Sequence, residues 1–588
     1  MSAAGAAPAG GGGAGRGGQG DGTGAGALTR GDRVLGWVER TGNKLPEPFL
    51  LFVGLFVLIA LVSTLGAVLG VSVTVPGSDD AVPVRGLLTG EGLTWLTTNL
   101  GANFINFPPL LTVLTILLAV GVAERSGLLS AIIRQMFHSA PPWALPYVVG
   151  AVGVTSSVMS DTAFVVVPPL AAMVFRAAGR HPVAGLLGGF AAVGAGYSTS
   201  FVVTSLDALF AGITNAVAQV LPDPGTTVNA ISNYFYNLTS AVVLTVVTGL
   251  VITRVLEPRL ERTGVPREQV EEEQEADAVG AAAAAGGSGP GAAPSPAARE
   301  GAGREGRRSA AEGAEEETGA GSGAAPGDPS APLTARERRA VRAAVVAGLL
   351  AAAVMLVAVL LPDSPWRGED GGYLPESPLL DSIVFVVFVM FFVPGLVYGR
   401  VSGSLTTGAD VPRFMQGAIR DLAPFIALAF VLGNFVALFT WSGVGTWLAV
   451  EGASGLESIG LTGYPAVLCF VLLASVLNLF IISGSSLWTL MAAVFVPLFA
   501  LLGFEPAFTQ GAFRVGDSAT QILTPLNPYM IVLLTMLRRY EPEAGLGSII
   551  SRMLPFTVCF WLAWVAVLTL FFLTGTPLGP GSGVRLPT

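Results

Sequence analysis

The sequence predicts an all-α polytopic membrane protein: nine transmembrane helices plus two oppositely oriented re-entrant hairpins, arranged as an inverted internal repeat with broken helices. Three observations predict it. The 588-residue chain is 52% hydrophobic and 12% charged, with a mean hydropathy of +0.66, whereas soluble domains carry about 25% charged residues. Apolar stretches recur at about the 20 residues that a bilayer requires. A polar string also occurs twice, 320 residues apart, inside apolar sequence. Residues 196–207 read Gly-Tyr-Ser-Thr-Ser-Phe-Val-Val-Thr-Ser-Leu-Asp, and residues 516–527 read Gly-Asp-Ser-Ala-Thr-Gln-Ile-Leu-Thr-Pro-Leu-Asn. Without a gap, Gly196/Gly516, Ser198/Ser518, Thr204/Thr524 and Leu206/Leu526 are identical, and Ser200/Thr520 and Asp207/Asn527 are close substitutes. Such groups at membrane depth break helices and leave backbone dipoles free to hold a solute, and two of them in corresponding places mark a secondary transporter built from repeats.

In chain order, residues 1–40 read as a disordered, Gly/Ala-rich cytoplasmic tail without the features of a signal peptide. The first membrane half, 41–257, holds spans near 49–71, 107–123 and 234–254. Between them lie a hairpin at about 142–178, centred on Thr155, Ser156, Ser157, Ser160 and Asp161, and a long segment, 183–221, interrupted by the first string. Residues 258–335, rich in Ala, Gly, Pro, Glu and Arg, cannot bury a core and read as a disordered cytoplasmic linker that includes the acidic run Glu271 to Asp277. The second half, 336–575, holds spans near 343–361, 381–399, 421–440 and 553–574. It has a hairpin at about 463–503, centred on Ser483, Gly484, Ser485 and Ser486, and a segment, 506–537, interrupted by the second string. Residues 576–588 read as a tail.

Basic residues orient these pieces. Arg30, Arg33, Arg40 and Lys44 precede the first span, bases fill the linker, and Arg400, Arg413, Arg420, Arg538, Arg539 and Arg552 mark further cytoplasmic loops. Residues 73–106 and 362–380 carry acids and few bases, which suits the outside. Arg125, Arg134, Arg176 and Arg180 flank the first hairpin, so it opens inward; parity makes the second open outward. The N-terminus is then inside and the C-terminus outside.

Composition excludes several function classes. The net charge of −9 does not suggest nucleic-acid binding. Cys469 and Cys559 have no paired spacing, and His138 and His181 are isolated at segment ends. No His-Glu-x-x-His, phosphate loop or Gly-x-Ser-x-Gly elbow is present, so the sequence offers no catalytic residues and no cofactor site.

An ionisable group at bilayer depth costs about 2.5–3.5 kcal/mol on insertion scales and is usually functional. Asp161, Asp207, Arg514 and Asp517 are the candidates. Arg514 and Asp517 are spaced to share a helix face and pair. Asn478 and Asp517 offer oxygen ligands to a hard monovalent cation, completed by freed carbonyls near Gly516, which fits sodium. Trp488 is placed to stack an aromatic solute. Pro168, Pro169, Pro497, Pro506, Pro525 and Pro528 read as helix breakers. A bound cation would neutralise Asp517 and let an anionic solute sit against Arg514, which couples the two.

At these residues the chain resembles the AbgT family, the p-aminobenzoyl-glutamate transporters. The resemblance runs from Gly42-Asn43-Lys44-Leu45-Pro46 through Ser160-Asp161, Gly179-Arg180-His181-Pro182, Gly194-Ala195-Gly196-Tyr197-Ser198 and Ile482-Ser483-Gly484-Ser485. It ends with Phe513-Arg514-Val515-Gly516-Asp517-Ser518-Ala519-Thr520 and Thr524-Pro525-Leu526-Asn527-Pro528-Tyr529. It implies a homodimeric transporter of the inner (cytoplasmic) membrane, with sodium at Asn478 and Asp517 and substrate at Asp161, Ser485, Trp488, Pro506 and Arg514. It implies carriage of p-aminobenzoyl-glutamate, a folate catabolite, or of sulfonamides, with sodium ions or protons as coupling ions. Two features depart from the family: Leu487 stands where members often carry Lys, and the long linker is unusual. A dicarboxylate or citrate transporter of similar architecture would use a serine-asparagine-threonine tip twice, and neither tip here has it. A membrane enzyme using Asp161 and Asp207 has no supporting nucleophile or metal cluster, and a channel has no visible rings of charge.

Overall fold

Residues 47–75, 81–159, 161–221, 227–267, 333–368, 370–374 and 377–586 are described by the computed structural model. The N-terminal tail and linker residues 268–332 lie outside the described residues.

The first half begins with α1 (Pro48–Val68), apolar on every face and opened by a proline at its first turn, where the missing N–H breaks no helical bond. A small antiparallel ribbon follows, β1 (Ser72–Thr74) on β2 (Ala81–Pro83), with Val73 opposite Val82. It is a minor departure from an all-α chain. Helix α2 (Gly90–Ile105) is capped by Thr89, whose hydroxyl accepts from Gly92 N at 3.1 Å. This helix occupies part of the stretch that the sequence suggested to be an outer loop. Next come α3 (Pro108–Arg125), the amphipathic α4 (Leu128–Ser139), and the first hairpin, formed by α5 (Leu145–Thr155), a 3-10 turn (Ser156–Met159) and α6 (Thr162–Ala177). The interrupted segment is two helices, α7 (Pro182–Ala195) and α8 (Ser205–Ala218). α9 (Tyr234–Val251) continues through a π-turn into α10 (Glu257–Arg262).

The second half repeats the plan. α11 (Ala335–Leu360), the short α12 (Pro378–Asp381), α13 (Ile383–Ser402), α14 (Asp410–Trp441) and α15 (Val444–Ser458) precede the second hairpin of α16 (Tyr464–Asn478) and α17 (Gly484–Leu501). The second broken segment is α18 (Pro506–Thr520) and α19 (Pro528–Leu537), and α20 (Leu546–Thr574) closes the bundle. Among the described residues, eight helices are long and apolar enough to cross a membrane.

Burial separates two kinds of helix. On α11, which is apolar all round beyond its charged first turns, Leu349, Val354 and Leu360 are more than 60% exposed, as a lipid-facing helix requires. Every residue of α7 is buried, as is α18 from Pro506 to Ala519. Small residues permit this: a Cβ on Gly153 would stand 2.3 Å from that of Ala192, so α5 and α7 pack backbone against backbone. The broken helices therefore form the centre of the bundle.

Three expectations need adjustment. Residues 258–267, read as the start of the linker, extend α9 as α10 and its following turn, anchored by the pair of Arg180 with Glu257. At the linker's other end Glu337 pairs with Arg134 at 2.6 Å, fixing α11 to α4. The tail folds back as a strap: Leu578 is fully buried, its carbonyl accepts from Tyr236 N at 3.0 Å, and Gly583 N donates to Glu505 Oε2 at 2.7 Å. Pro168, Pro169 and Pro497 lie inside continuous helices rather than ending them.

Candidate functional site

The strings break their helices at slightly different points. In the first copy the irregular stretch is Gly196–Thr204; Thr204 then starts α8 with a capping box, its hydroxyl accepting from Asp207 N and the Asp207 carboxylate accepting from Thr204 N. In the second copy α18 stays helical through Thr520, and the break falls at Gln521–Asn527, where Asn527 accepts from Tyr529 N at 3.0 Å to start α19. Gly516 therefore lies within a helix, and its carbonyl accepts from the Thr520 hydroxyl at 2.9 Å. The free carbonyls expected there are not found at Gly516, and within the break the carbonyls of Gln521, Thr524 and Asn527 accept from Asn527 Nδ2, Asn527 N and Met530 N at 3.4, 3.2 and 3.0 Å. The strings also touch: the Ser198 hydroxyl bonds that of Ser518 and donates to Asp517 Oδ2 at 3.3 Å.

The central charge is Arg514, 1% exposed. Its ion pair is with Asp207, at 2.9 Å, and not with Asp517 as spacing alone suggested. The capping box explains the choice. Asp207 Oδ2 is held by Thr204 N and Oγ1 at 2.8 and 2.9 Å, which leaves Oδ1 for Asn237 Nδ2 at 2.9 Å and for Arg514. Arg514 Nη1 also donates to the Ser198 carbonyl, and its guanidinium lies 5.2 Å over the Phe210 ring. Nε and Nη2 have no hydrogen-bond partner among the described residues. Two donors of a buried guanidinium thus remain available, in the fork geometry that matches a carboxylate.

Asp517 is fully buried and faces the second hairpin tip, where a Cβ on Gly484 would lie 2.9 Å from its Oδ2. Asn478, the last residue of α16, donates through Nδ2 to the Asp517 carbonyl and to Thr520 Oγ1 at 3.0 Å. Asn478 Oδ1 and Asp517 Oδ1 are both buried acceptors without a partner among the described residues. Unpaired buried acceptors are costly unless something binds them, so this donor set fits a hard cation.

A cavity with two lobes of about 580 and 780 Å³ approaches this cluster. Glu47, Pro48, Asp161, Phe164, Tyr197 and Ser483 line both lobes. Ser485 lines the larger, while Gln521, Asn527 and Tyr529 line the smaller. Asp161 and Ser485, two of the expected substrate residues, therefore face the cavity. Asn478, Arg514 and Asp517 sit behind the Tyr197–Gly484 contact, where a Cβ on Gly484 would meet Tyr197 Cε1 at 2.8 Å. Trp488 is wholly buried; its Nε1 donates to the Phe210 carbonyl and Thr214 Oγ1, both at 3.2 Å, and its ring lies 4.7 Å from that of Phe513. In this conformation it packs behind the site and has no open face toward the lobes. Pro506 opens α18 beside the strap of the C-terminal tail.

Sequence spacing reports neither the pairing of Asp207 nor the stacked rings of Phe164 and Tyr529. Asp207 carried a signal as an intramembrane acid inside the repeated string, but its partner comes from the other half of the chain.

The AbgT transporter family model matches residues 33–287 and 320–586. The p-aminobenzoyl-glutamate transport protein of Escherichia coli K12 is 34% identical over 559 residues, covering 95% of this chain and 98% of that one. Two solved structures are similar at 33% identity. The Neisseria gonorrhoeae MtrF structure, from a class of antimetabolite efflux pumps, has a TM-score of 0.79, covering 94% of this chain and 100% of that one. The Alcanivorax borkumensis YdaH transporter has a TM-score of 0.76, covering 91% and 100%. Both halves of the sequence, the paired hairpins and broken helices, and relatives matched along nearly their whole length place the conclusion on one footing: this chain belongs to the AbgT transporter family.

Proposed function

We propose that this chain is a cation-coupled secondary transporter that carries p-aminobenzoyl-glutamate, or related aromatic antimetabolites such as sulfonamides, by alternating access. The observation that carries the reading is the pairing of unsatisfied groups at the centre of the fold. Next to its carboxylate partner Asp207, Arg514 keeps two donors without a partner among the described residues, and Asp517, one turn on along α18, and Asn478 of α16 each keep one such acceptor. An anion bound by Arg514 and a cation bound by Asn478 and Asp517 would each lower the cost of the other's burial, which is the energetic basis of coupling.

In this reading sodium is the coupling ion held by Asn478 and Asp517, with protons as the alternative. Arg514 holds the carboxylate end of the substrate, and Ser485 and Asp161 line its approach. Trp488 and Pro506 support the site from behind, Trp488 by fixing Phe210 and Thr214. The protein works as a homodimer in the cytoplasmic membrane, with its N-terminus and linker inside, and its fold and family indicate a transporter rather than an enzyme.

The test is counterflow in proteoliposomes. Labelled p-aminobenzoyl-glutamate is driven against unlabelled p-aminobenzoyl-glutamate or sulfonamide, with sodium and proton gradients imposed separately. Saturable counterflow that one gradient accelerates, and that Arg514→Met and Asp517→Asn each reduce at least about tenfold, is expected; a factor of ten corresponds to about 1.4 kcal/mol of lost stabilisation. Transport indifferent to both gradients and to Asp517→Asn would remove the mechanism. Efflux from preloaded vesicles at low internal substrate would select the export reading, which the likeness to MtrF favours.

A further inference from the structure

The cavity has a chemical polarity that the buried Arg514 cluster does not share. Among the described residues, its lining includes three acids, Glu47, Asp161 and Asp421, and no Lys or Arg. Asp421 is balanced from outside the lining by Arg125 at 2.5 Å. These walls suit the end of a ligand that donates hydrogen bonds, and they disfavour a carboxylate.

Asp161 is the group best placed to read such an end. It occupies the N-cap position of α6, where an aspartate ordinarily accepts from the first free helix amides, yet its side chain makes no capping bond. The carboxylate instead lies beside the hydroxyl of Tyr529 on α19, a neighbour that leaves most of a carboxylate's acceptor positions open. The Tyr529 ring is parallel to that of Phe164, with centroids 5.1 Å apart and an interplanar angle of 3°. Both rings line the smaller lobe, giving a flat aromatic wall with a carboxylate at its edge. The same lobe is lined by Gln521, only 3% exposed, whose Oε1 has no hydrogen-bond partner among the described residues. Aromatic wall, carboxylate and spare amide oxygen therefore converge on one lobe, supplied by the first hairpin and by the second broken helix.

We propose that the Phe164–Tyr529 wall and Asp161 form a subsite for a primary aryl amine, with the ring stacked on the wall and an N–H donated to the Asp161 carboxylate. The proposal rests on the transport reading above and divides its substrate between two places: the amine end reads Asp161, and the carboxylate end reads Arg514. An aryl amine is neutral at physiological pH and carries two N–H donors, so the subsite needs acceptors rather than a counter-charge. It also separates ligands by a property unrelated to their acidic end. A 4-aminophenyl group is recognised whether or not a dicarboxylate follows it, which would let one site serve chemically different aryl amines.

The experiment compares competition by p-aminobenzoyl-glutamate with competition by benzoyl-glutamate, which lacks only the amine, against counterflow of labelled p-aminobenzoyl-glutamate in proteoliposomes. The intact protein is expected to prefer the amine about tenfold, the size of one hydrogen bond to a charged acceptor. In Asp161→Ala the preference should fall to within about twofold of unity. Asp161→Asn keeps the side-chain volume and one acceptor, and should fall between the two; it carries the measurement should the alanine variant not assemble. An equal affinity for both ligands in the intact protein overturns the proposal, as does a preference that neither Asp161 variant moves. A change in sodium dependence with the preference unmoved makes Asp161 a cation ligand, and overturns it likewise. Absence of counterflow by the intact protein overturns the transport reading together with the subsite, whereas counterflow with an unmoved preference overturns the subsite alone.

Discussion

Replacing Asp207 by alanine removes the carboxylate that balances Arg514 where both groups are almost completely buried. The stranded guanidinium would keep its cation-π contact with Phe210 and its bond to the Ser198 carbonyl, but lose its only ion pair among the described residues. Removing one partner of a buried pair costs about 3–5 kcal/mol. The same substitution dismantles the capping box of α8, worth about 1 kcal/mol, so Asp207→Ala should destabilise by about 4–6 kcal/mol in all. Arg514→Met leaves a buried carboxylate that still has Thr204 and Asn237 as donors, and should cost less. The double variant leaves no stranded charge and should be more stable than Asp207→Ala alone, giving a coupling of at least about 2 kcal/mol. The assay is unfolding by SDS in mixed micelles, followed by tryptophan fluorescence, for all four members of the cycle. A loss below about 1 kcal/mol for Asp207→Ala, or singles that add to within about 0.5 kcal/mol in the double, would refute the pairing as a significant energetic link.

Other outcomes follow from the packing. A Cβ on Gly516 would lie 2.5 Å from that of Ala474 and 2.8 Å from Ser475 N; Gly516→Ala should lose about 1–3 kcal/mol and lower transport, while Gly408→Ala, with nothing within 4 Å, should melt like the parent. Deleting residues 577–588 uncovers the site of Leu578 and removes its bond to Tyr236, and should cost about 2–4 kcal/mol in the same SDS assay. His181, in the turn between α6 and α7, is held below the ordinary histidine range by burial, with its Nδ1 unpartnered among the described residues. A depressed value means that the unfolded chain binds the extra proton first. The stability tied to its neutral form should therefore be complete above about pH 6.5 and decline as pH falls below it, a decline that His181→Gln should flatten in thermal melts at pH 5 to 8.

The architecture was legible where lipid or backbone chemistry acts on composition. Spans such as 49–71 and 381–399 appear as α1 and α13 because a lipid-facing helix must be apolar throughout. Both hairpins and both broken segments stand out because Ser, Thr, Asp and Gly inside such runs weaken the helix and are costly in lipid unless they bind something. Helices α2 and α15 were missed because they mix Thr, Gly and Glu with apolar residues, and tertiary packing decides them. The strap of residues 576–586 was invisible for a related reason: its short bridges depend on Glu505 and Tyr236, which are distant in sequence. At the site, charge at membrane depth identified Arg514, Asp517 and Asp207 individually. Periodicity could relate only residues on one helix, so it paired Arg514 with Asp517. The pairing observed depends on a capping box in the other half of the chain, which no local pattern reports.

The hydroxyl contact between Ser198 and Ser518 has a geometric meaning that its strength does not convey. These residues match in the two strings, yet Ser198 lies in the irregular stretch that follows α7 while Ser518 lies within the helix α18. The contact therefore ties the broken backbone of one half to the charged helix of the other. The same stretch also receives Arg514 Nη1 at the Ser198 carbonyl, and the Ser198 hydroxyl donates to Asp517. Arg514, Asp517 and Ser518 of α18 are thus clasped to a single residue, so a shift of either broken segment at the centre of the bundle is felt at once by the groups that carry the charge.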